Sequence, residues 1–373
     1  MSEGRLRLVG GRAVREVRRW VGHRDARGWP PYSRLLLLSD SPKWVLAYEM
    51  SEIAGVARRL GICVADSRLH AYVRRQSVFY ASQFGLLNGR QYRQPNRLAT
   101  AYFHGKPGTG VAEFDRAFEA LRGCHDRLDR VQVSHREMRD IVLSSGIDAA
   151  KVHLIPIAVD PRLFSSRTAA QKAAAREALG IPAGAAVVGS FQKDGVGWGD
   201  GDEPKLVKGP DVFLAAIDLL RREVPDLFVL LSGPSRGFVR CGLERMNVPY
   251  RHEFPADPRA VVPLYHALDV YLVSSRQEGG PKAVLESMAT GVPLVTTRVG
   301  QATDLVRHGE NGWMVDVEDA AGLARWAAHA LSAGPALDAV VAEGRRAAEA
   351  NSYETQLPAW ARFFDGFVDR VSA

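Results

Sequence analysis

One short segment brings together the side chains with the clearest chemical potential in this chain. Glu278 precedes Gly279-Gly280-Pro281, and Glu286 stands eight positions beyond Glu278. Pro281 fits the first position of a helix, and the two glycines allow the backbone to approach a ligand closely. A helix start attracts anions such as a diphosphate. Because carboxylates accept hydrogen bonds from paired hydroxyls, the two glutamates, about 12 Å apart along a helix, predict contacts to a sugar and to a ribose.

The elements around this segment predict an α/β unit. A short apolar run at 269–274 precedes the glycines as a strand, and residues 282–290 favour a helix. Further strands and helices alternate with them, which predicts a parallel sheet covered on both faces. The other strands of this half are predicted at 186–191, 227–232 and 293–297, with a turn and strand at 311–315. Its helices are predicted at 169–179, 210–223, 236–246, 257–267 and 318–331.

The run E-G-G-P-K-A-V-L-E followed by S-M-A-T-G-V-P-L-V resembles the E-x7-E motif of retaining GT-B glycosyltransferases of family GT4. The resemblance implies two Rossmann-like α/β domains with parallel sheets facing across a cleft. It also implies transfer of a sugar from a nucleotide donor to an acceptor hydroxyl, with retention at the anomeric carbon. Glu278 would then orient the sugar and Glu286 would hold the ribose. The donor would be a UDP- or GDP-sugar bound as a substrate, with no cofactor and no metal.

Cationic side chains are needed because a departing nucleoside diphosphate accumulates negative charge. In the GT4 family, a Gly-Arg pair after one strand and a Lys-Gly pair before the next helix reach the diphosphate. Lys208 precedes Gly209 in this chain and matches the second pair, whereas Ser190 occupies the place of the arginine. Lys193 or Lys205 could supply the missing charge, and we favour Lys193.

His104 is the candidate in the first half of the chain. It stands in F-H-G, just beyond a predicted strand at 98–103, and related enzymes place such a histidine on the donor sugar. The glycines after it do not form a Walker loop, because no Lys-Ser/Thr pair follows. The acidic loop at 194–203 is interpreted as a solvated turn rather than a metal site, and Trp198 within it is a candidate ligand contact.

The domain organisation is predicted from the same pattern. Residues 1–165 form an acceptor-side domain that begins with a basic leader at 1–33, and residues 166–352 form the nucleotide-sugar domain. A final helix at 353–371, in the segment 353–373, crosses back to the first domain, as the family's last helix does. Strands at 34–39, 62–66 and 78–82 and helices at 43–60, 111–122 and 135–144 complete the first half.

Charge and cysteine content limit the alternatives. The 373 residues carry a net charge of +7, with the basic excess in the first 160 residues. The leader is compatible with an anionic membrane surface, with a partner groove and with a solvated helix. No apolar run approaches the roughly 20 residues of a membrane span. Three widely separated cysteines predict a cytoplasmic protein, with peripheral contact at the inner face of the membrane left open.

Two other functional classes remain open at this stage. A sugar phosphorylase or epimerase of the same architecture would also hold a sugar beside a phosphate. A non-catalytic module could use the basic half on an anionic surface, but it would need none of Glu278, Glu286 and Lys208. We expect no nucleic-acid partner, because no motif for reading RNA or DNA is present. The expected partners are a nucleotide sugar and an acceptor sugar, glycolipid or glycoside.

Overall fold

The computed structural model describes residues 30–39, 45–65, 75–87 and 96–370, so residues 1–29 of the basic leader lie outside the described residues. The chain divides into two compact units. The first contains the chain up to Ile155 and from Gln356 onward, and the second is Pro156–Thr355. The chain therefore passes from the first unit to the second between Ile155 and Pro156.

The first unit is built on a six-stranded parallel sheet. Its strand order is β2-β1-β3-β4-β5-β6. The strands are β1 (Arg34–Leu38), β2 (Cys63–Val64), β3 (Ser77–Tyr80), β4 (Arg97–Ala101), β5 (Arg130–Val133) and β6 (Val152–Leu154). The sequence predicted the first four of these strands. It missed β5 and β6 because polar residues interrupt their short apolar runs, for example Gln132 in β5 and His153 in β6.

Four α-helices cover this sheet in the described part of the first unit: α1 (Val45–Arg59), α2 (Ala112–Cys124), α3 (Arg136–Leu143) and a C-terminal helix, Leu357–Phe364. The C-terminal helix packs Phe363 on Phe79 of β3, with ring centroids 5.3 Å apart. This helix is much shorter than the predicted 353–371. Pro358 stands in its first turn, and Gly366 ends the helical path with a φ of +66°.

The second unit contains another six-stranded parallel sheet, in the order β12-β11-β10-β7-β8-β9. Its strands are β7 (Ala186–Phe191), β8 (Leu227–Ser232), β9 (Tyr250–Glu253), β10 (Val270–Val273), β11 (Leu294–Thr297) and β12 (Trp313–Val315). Neighbouring residues alternate between two apolar clusters: Val187 and Tyr271 lie in one, and Val188 and Leu272 in the other. Both faces of the sheet are therefore buried, as expected for continuous apolar strands.

Eight α-helices belong to the described second unit. They are α4 (Ala169–Ala178), α5 (Pro210–Glu223), α6 (Gly237–Arg245), α7 (Val262–His266), α8 (Lys282–Ala289), α9 (Ala302–Leu305), α10 (Ala320–Ser332) and α11 (Leu337–Ala350). The single helix predicted at 257–267 is wrong in detail: a 3₁₀ turn, Pro258–Val261, precedes α7. No helix within the described ranges is long and apolar enough to cross a membrane.

Candidate functional site

The topology of the second sheet selects one edge for ligand binding. β7 and β10 are hydrogen-bonded neighbours, and the chain leaves β7 toward β8 and leaves β10 toward β11, on opposite sides. In open α/β sheets, ligands bind beyond the carboxyl ends of the strands at such a reversal. Lys193 follows β7 and Glu278 follows β10, so both predicted residues lie in loops at this edge.

Lys208 and Glu278 form the central contact at this edge. Lys208 Nζ lies 2.6 Å from Glu278 Oε1, and Ser275 Oγ donates a 2.9 Å hydrogen bond to the same oxygen. The side chains are 25% and 12% exposed, respectively, so the ion pair is only partly hydrated. A partly buried pair of this kind is screened less than one at the surface. Ser275 is a residue that sequence reasoning missed.

A glycine places Lys208 against the loop after β10. Gly209 ends the 3₁₀ turn Leu206–Lys208 with φ +60° and begins α5. A Cβ on Gly209 would lie 2.0 Å from the carbonyl oxygen of Ser274, so a larger residue would displace one of the two segments. Ser274 Oγ also donates a 2.9 Å hydrogen bond to the Gly209 carbonyl. The Lys-Gly pair noted in the sequence thus has a structural cause in the close approach of these loops.

Lys193 shares the electrostatic environment of Lys208. Its ammonium donates 2.8 Å to the Gly195 carbonyl and lies 5.2 Å from the centre of the Trp198 ring. Burial lowers the pKa of Lys193, and the charge of Lys208 lowers it further, although Asp194 acts in the opposite direction. Lys205 is exposed. The charge of Lys208 thus acts on Lys193, and the choice of Lys193 over Lys205 as the second cation stays a prediction.

Ser190 does not line an open surface. It is buried at the end of β7, where Arg236 Nη1 donates 2.6 Å to its carbonyl and Arg236 Nη2 donates 3.3 Å to its hydroxyl. Arg236 Nε also lies 2.9 Å from Asp194 Oδ1, and both side chains are fully buried. Ser190, which stands in the place of the family's arginine, contacts a guanidinium that joins the ends of β7 and β8. Its role as a donor-binding residue stays a prediction.

The acidic loop at 194–203 packs on this buried pair. Burial raises the pKa of Asp194, while Arg236 opposes that shift. The carbonyls of Asp200 and Gly201 accept hydrogen bonds from the first N–H groups of α6, at 2.7 and 2.9 Å. Trp198, near the tip of the loop, is 62% exposed. No group of three or more His, Cys, Asp or Glu side chains with metal-binding geometry occurs among the residues that the structure describes.

The glycines before α8 pack closely within the second unit. A Cβ on Gly280 would lie 2.4 Å from Ile157 Cδ1, and the Gly279 carbonyl accepts 3.0 Å from the Gln301 N–H. Pro281 was predicted as the first helical residue, but it is the N-cap, with an extended ψ of 107°. Packing therefore requires a glycine at position 280, and the approach of these glycines to a ligand stays a prediction.

Glu286 lies on α8 and is held by a tyrosine that sequence reasoning missed. Tyr265 is fully buried, and its hydroxyl donates 2.9 Å to Glu286 Oε2. Burial raises the pKa of Tyr265, and the Glu286 carboxylate raises it further, so the hydroxyl keeps its proton. The Tyr265 ring is fixed at 4.8 Å from Phe191 and 5.4 Å from Tyr271.

His104 belongs to the first unit and follows β4. The side-chain Oε1 of Gln83 accepts hydrogen bonds from the N–H groups of Phe103 and His104, at 3.0 and 2.8 Å, and thereby fixes the turn. The His104 ring lies 4.6 Å from that of Phe103 and 6.1 Å from that of Phe84. Gly105 follows with φ +149°, where a Cβ would lie 2.3 Å from the Phe114 ring. This packing fixes the backbone at His104, and its contact with a sugar stays a prediction.

Known proteins similar to this chain are glycosyltransferases. Residues 201–333 match the family model described as "Glycosyl transferases group 1". The D-inositol 3-phosphate glycosyltransferase of Corynebacterium urealyticum is 29% identical over 221 residues, which are 54% of this chain and 49% of the relative. The protein of the same name from Thermobispora bispora is 31% identical over 49% of this chain and 43% of the relative. The chain thus spans about half of the length of the curated relatives it matches.

Two solved structures illustrate the similarity in fold. Anabaena Alr3699/HepE, solved in complex with UDP, superimposes with a TM-score of 0.69 over 89% of this chain and 100% of that chain, at 17% identity. Sucrose-phosphate synthase from Thermosynechococcus elongatus superimposes with a TM-score of 0.64 over 78% of this chain and 73% of that chain, at 19% identity. The solved structures confirm the predicted GT-B fold. The sequence matches agree with the predicted glycosyltransferase family over residues 201–333.

Proposed function

We propose that this chain, whose residues 201–333 belong to the group 1 glycosyl transferases, transfers a sugar from a nucleoside diphosphate sugar to an acceptor hydroxyl with retention at the anomeric carbon. The observation that carries the proposal is the contact of Lys208 with Glu278, beside Lys193 and at the reversal between β7 and β10. A carboxylate and two ammonium groups at one edge match the hydroxyls and the phosphates of such a donor.

The ion pair suggests how donor binding prepares the reaction. Without a ligand, Lys208 balances the charge of Glu278. A bound diphosphate gives Lys208 a second anionic partner, so Glu278 Oε1 becomes able to accept hydrogen bonds from sugar hydroxyls. As the glycosidic bond breaks, negative charge grows on the leaving diphosphate, and Lys208, Lys193 and the N–H groups at the start of α8 stabilise it. The transition state then resembles an oxocarbenium ion beside a leaving diphosphate.

The donor and acceptor are proposed by class. UDP is bound by the structurally similar Alr3699/HepE, which supports a uridine donor, with guanosine as the alternative. The name of the curated relatives supports a hydroxyl of a phosphorylated polyol as one acceptor class, beside glycans, glycolipids and glycosides. His104 is proposed to contact the transferred sugar. The three cysteines are free, which agrees with a cytoplasmic location.

A transfer assay with labelled UDP- and GDP-sugars tests this function. We expect release of the nucleoside diphosphate together with a labelled product that keeps the anomeric configuration of the donor, as read by NMR. Phosphorolysis with free phosphate would instead support the phosphorylase alternative, and donor isomerisation without transfer would support an epimerase. Binding to anionic vesicles with no turnover of any nucleotide sugar would support the non-catalytic module and contradict the proposal.

Tyr265 is predicted to position Glu286 for the ribose. The change Tyr265→Phe removes only the hydroxyl that donates to Glu286 Oε2. A hydrogen bond to a charged group contributes about 1.5–3 kcal/mol, part of which reaches donor affinity, so KM for the donor should rise about five- to tenfold. The value of kcat should change little, because the ribose does not react. Steady-state kinetics over donor concentration provide the measurement.

Tyr271 offers a matched control for this variant. It is almost as deeply buried, and its ring lies 5.4 Å from that of Tyr265. Its hydroxyl bonds the backbone of Phe191 and interacts with the Tyr265 hydroxyl, without a hydrogen bond to Glu286 in the described structure. Tyr271→Phe should lower the unfolding temperature about as much as Tyr265→Phe does. It should raise KM for the donor less than Tyr265→Phe does. Equal KM increases in the two variants would show that the aromatic cluster acts only through stability.

A further inference from the structure

A cavity of about 370 Å³ lies at the other edge of the second sheet. Ala186 begins β7 there, and Asp269 immediately precedes β10. Because β7 and β10 are parallel, their amino ends share this edge, away from the loops that carry Lys208 and Glu278. The cavity is lined by three cationic side chains and one carboxylate, with an apolar wall: Arg167, Lys172, Arg176, Asp269, Leu331 and Leu337.

The single carboxylate of the cavity is already fully engaged. Lys172 Nζ lies 2.5 Å from Asp269 Oδ1, and Arg176 Nη2 lies 2.6 Å from Asp269 Oδ2. The Val187 N–H donates 2.8 Å to the second of these oxygens. Three positive charges facing one negative charge leave the cavity with a surplus of two. That surplus corresponds to the charge of a phosphate dianion.

Arg167 is the cation whose donors are least used. Its one side-chain hydrogen bond in the described part of the chain is a long one, 3.4 Å from Nη1 to the His266 carbonyl. No carboxylate lies within ion-pair distance of it among the described residues. Burial lowers the pKa of Arg167, and the neighbouring Arg176 lowers it further, with Asp269 opposing. A guanidinium withdrawn from water without an anionic partner is costly.

Arg176 differs from Arg167 in this respect. Besides its ion pair with Asp269, its Nε donates 2.9 Å to the Ala267 carbonyl and its Nη1 donates 3.1 Å to the Ala185 carbonyl. These bonds fix Arg176 as part of the cavity wall. The donors available to a ligand therefore belong to Arg167 and, after exchange with Asp269, to Lys172.

We propose that this cavity binds a phosphate group, either inorganic phosphate or the phosphate of a small monoester, with Arg167 as its main ligand. The planar guanidinium can bind two phosphate oxygens at once. Lys172 supplies a second positive charge, and Leu331 and Leu337 offer apolar contact to the organic part of an ester. The cavity is separate from the proposed donor site and does not depend on the proposed function.

Calorimetric titration at constant ionic strength tests the proposal. Inorganic phosphate and glycerol 1-phosphate are titrated separately into the full chain. Because phosphate can also bind near Lys208, both titrations are repeated with Lys208→Ala, which removes the contribution of Lys208 to phosphate binding at the donor site. In that background, Arg167→Gln should weaken phosphate binding at least about tenfold, as expected for a lost charge-assisted hydrogen bond. The single variant Arg167→Gln, with Lys208 intact, should bind UDP with the same affinity as the unaltered protein.

Two further variants keep the result decisive. Arg162 is an exposed arginine paired with Asp160, and Arg162→Gln removes the same charge without touching the cavity, so phosphate affinity should not change. Arg167→Lys keeps the positive charge but loses the planar guanidinium that can bind two phosphate oxygens. Its affinity for phosphate should lie between those of the unaltered protein and Arg167→Gln, and it provides a test even if Arg167→Gln folds poorly. Tighter binding of glycerol 1-phosphate identifies an ester, and tighter binding of phosphate identifies the free ion. No heat of binding, or equal affinity in Arg167→Gln, would overturn the proposal.

Discussion

Replacement of Lys208 by alanine should lower kcat for sugar transfer by roughly 100- to 1,000-fold. Lys208 Nζ lies 2.6 Å from Glu278 Oε1, so this ammonium is held where the sugar and the diphosphate of the proposed donor meet. The charge of Lys208 stabilises the leaving diphosphate most strongly in the transition state, where negative charge has developed. Its removal therefore destabilises the transition state more than the ground state. The donor KM should change much less than kcat. Single-turnover and steady-state kinetics measure the two effects separately.

The geometry predicts a second consequence of this change. Without Lys208, the Glu278 carboxylate loses its ion-pair partner while it remains only 12% exposed. An unpaired carboxylate at such a position is unfavourable, so the unfolding temperature should fall as well. Lys208→Arg serves as the control, because it retains the charge; it should retain much more turnover than Lys208→Ala. If both variants kept the full kcat, Lys208 would have no role in stabilising the leaving group.

The comparison of Lys208 with Ser190 illustrates what local sequence can predict. The Lys-Gly pair was identified from a short motif, and Gly209 proved to be required by a contact with the adjacent loop. Ser190 was also selected by its place in a motif, but its environment depends on Arg236, which lies 46 residues away in sequence. A short motif predicts which backbone positions lie in the loops at one edge of a sheet. It does not identify the distant side chain that fills the space when the usual arginine is absent.

The same distinction applies to the secondary structure. The helix at 210–223 was predicted with the observed bounds, because Pro210 fits a first turn and Gly209 precedes it. The edge strand β9 was missed, since Tyr250–Glu253 alternates no apolar residues and is recognised only through its pairing with β8. The C-terminal helix was placed correctly but made too long, because the apolar residues after Gly366 remain buried without being helical.

Tyr265 could not have been selected from the sequence. Tyrosines at short apolar helices are commonly core residues, and nothing local connects position 265 with position 286. The structure joins them because α7 and α8 both pack in the apolar cluster that contains Phe164 and Tyr271. A polar hydroxyl in this cluster needs an acceptor, and Glu286 Oε2 provides it. The carboxylate is thereby oriented from its buried side.

Replacement of Glu286 by alanine should raise KM for the donor about 10- to 100-fold and change kcat by less than a few fold. A carboxylate that accepts hydrogen bonds from the ribose hydroxyls contributes about 1.5–3 kcal/mol through each of them, and about 1.4 kcal/mol corresponds to a factor of ten in affinity. The ribose does not react, so its contacts contribute equally to the ground state and to the transition state. Donor-dependent kinetics and calorimetry with UDP measure the effect.

The Glu286→Ala result must be separated from a loss of stability, because the change leaves the buried Tyr265 hydroxyl without its acceptor. That loss should cost about 1–3 kcal/mol of unfolding free energy. Glu286→Gln keeps an oxygen that can accept from Tyr265 but removes the charge, so it should restore the unfolding temperature and leave KM raised. Glu223→Ala, at an exposed carboxylate at the end of α5, should change neither quantity. An unchanged KM in Glu286→Ala with a lowered kcat would assign Glu286 to the reacting sugar instead of the ribose.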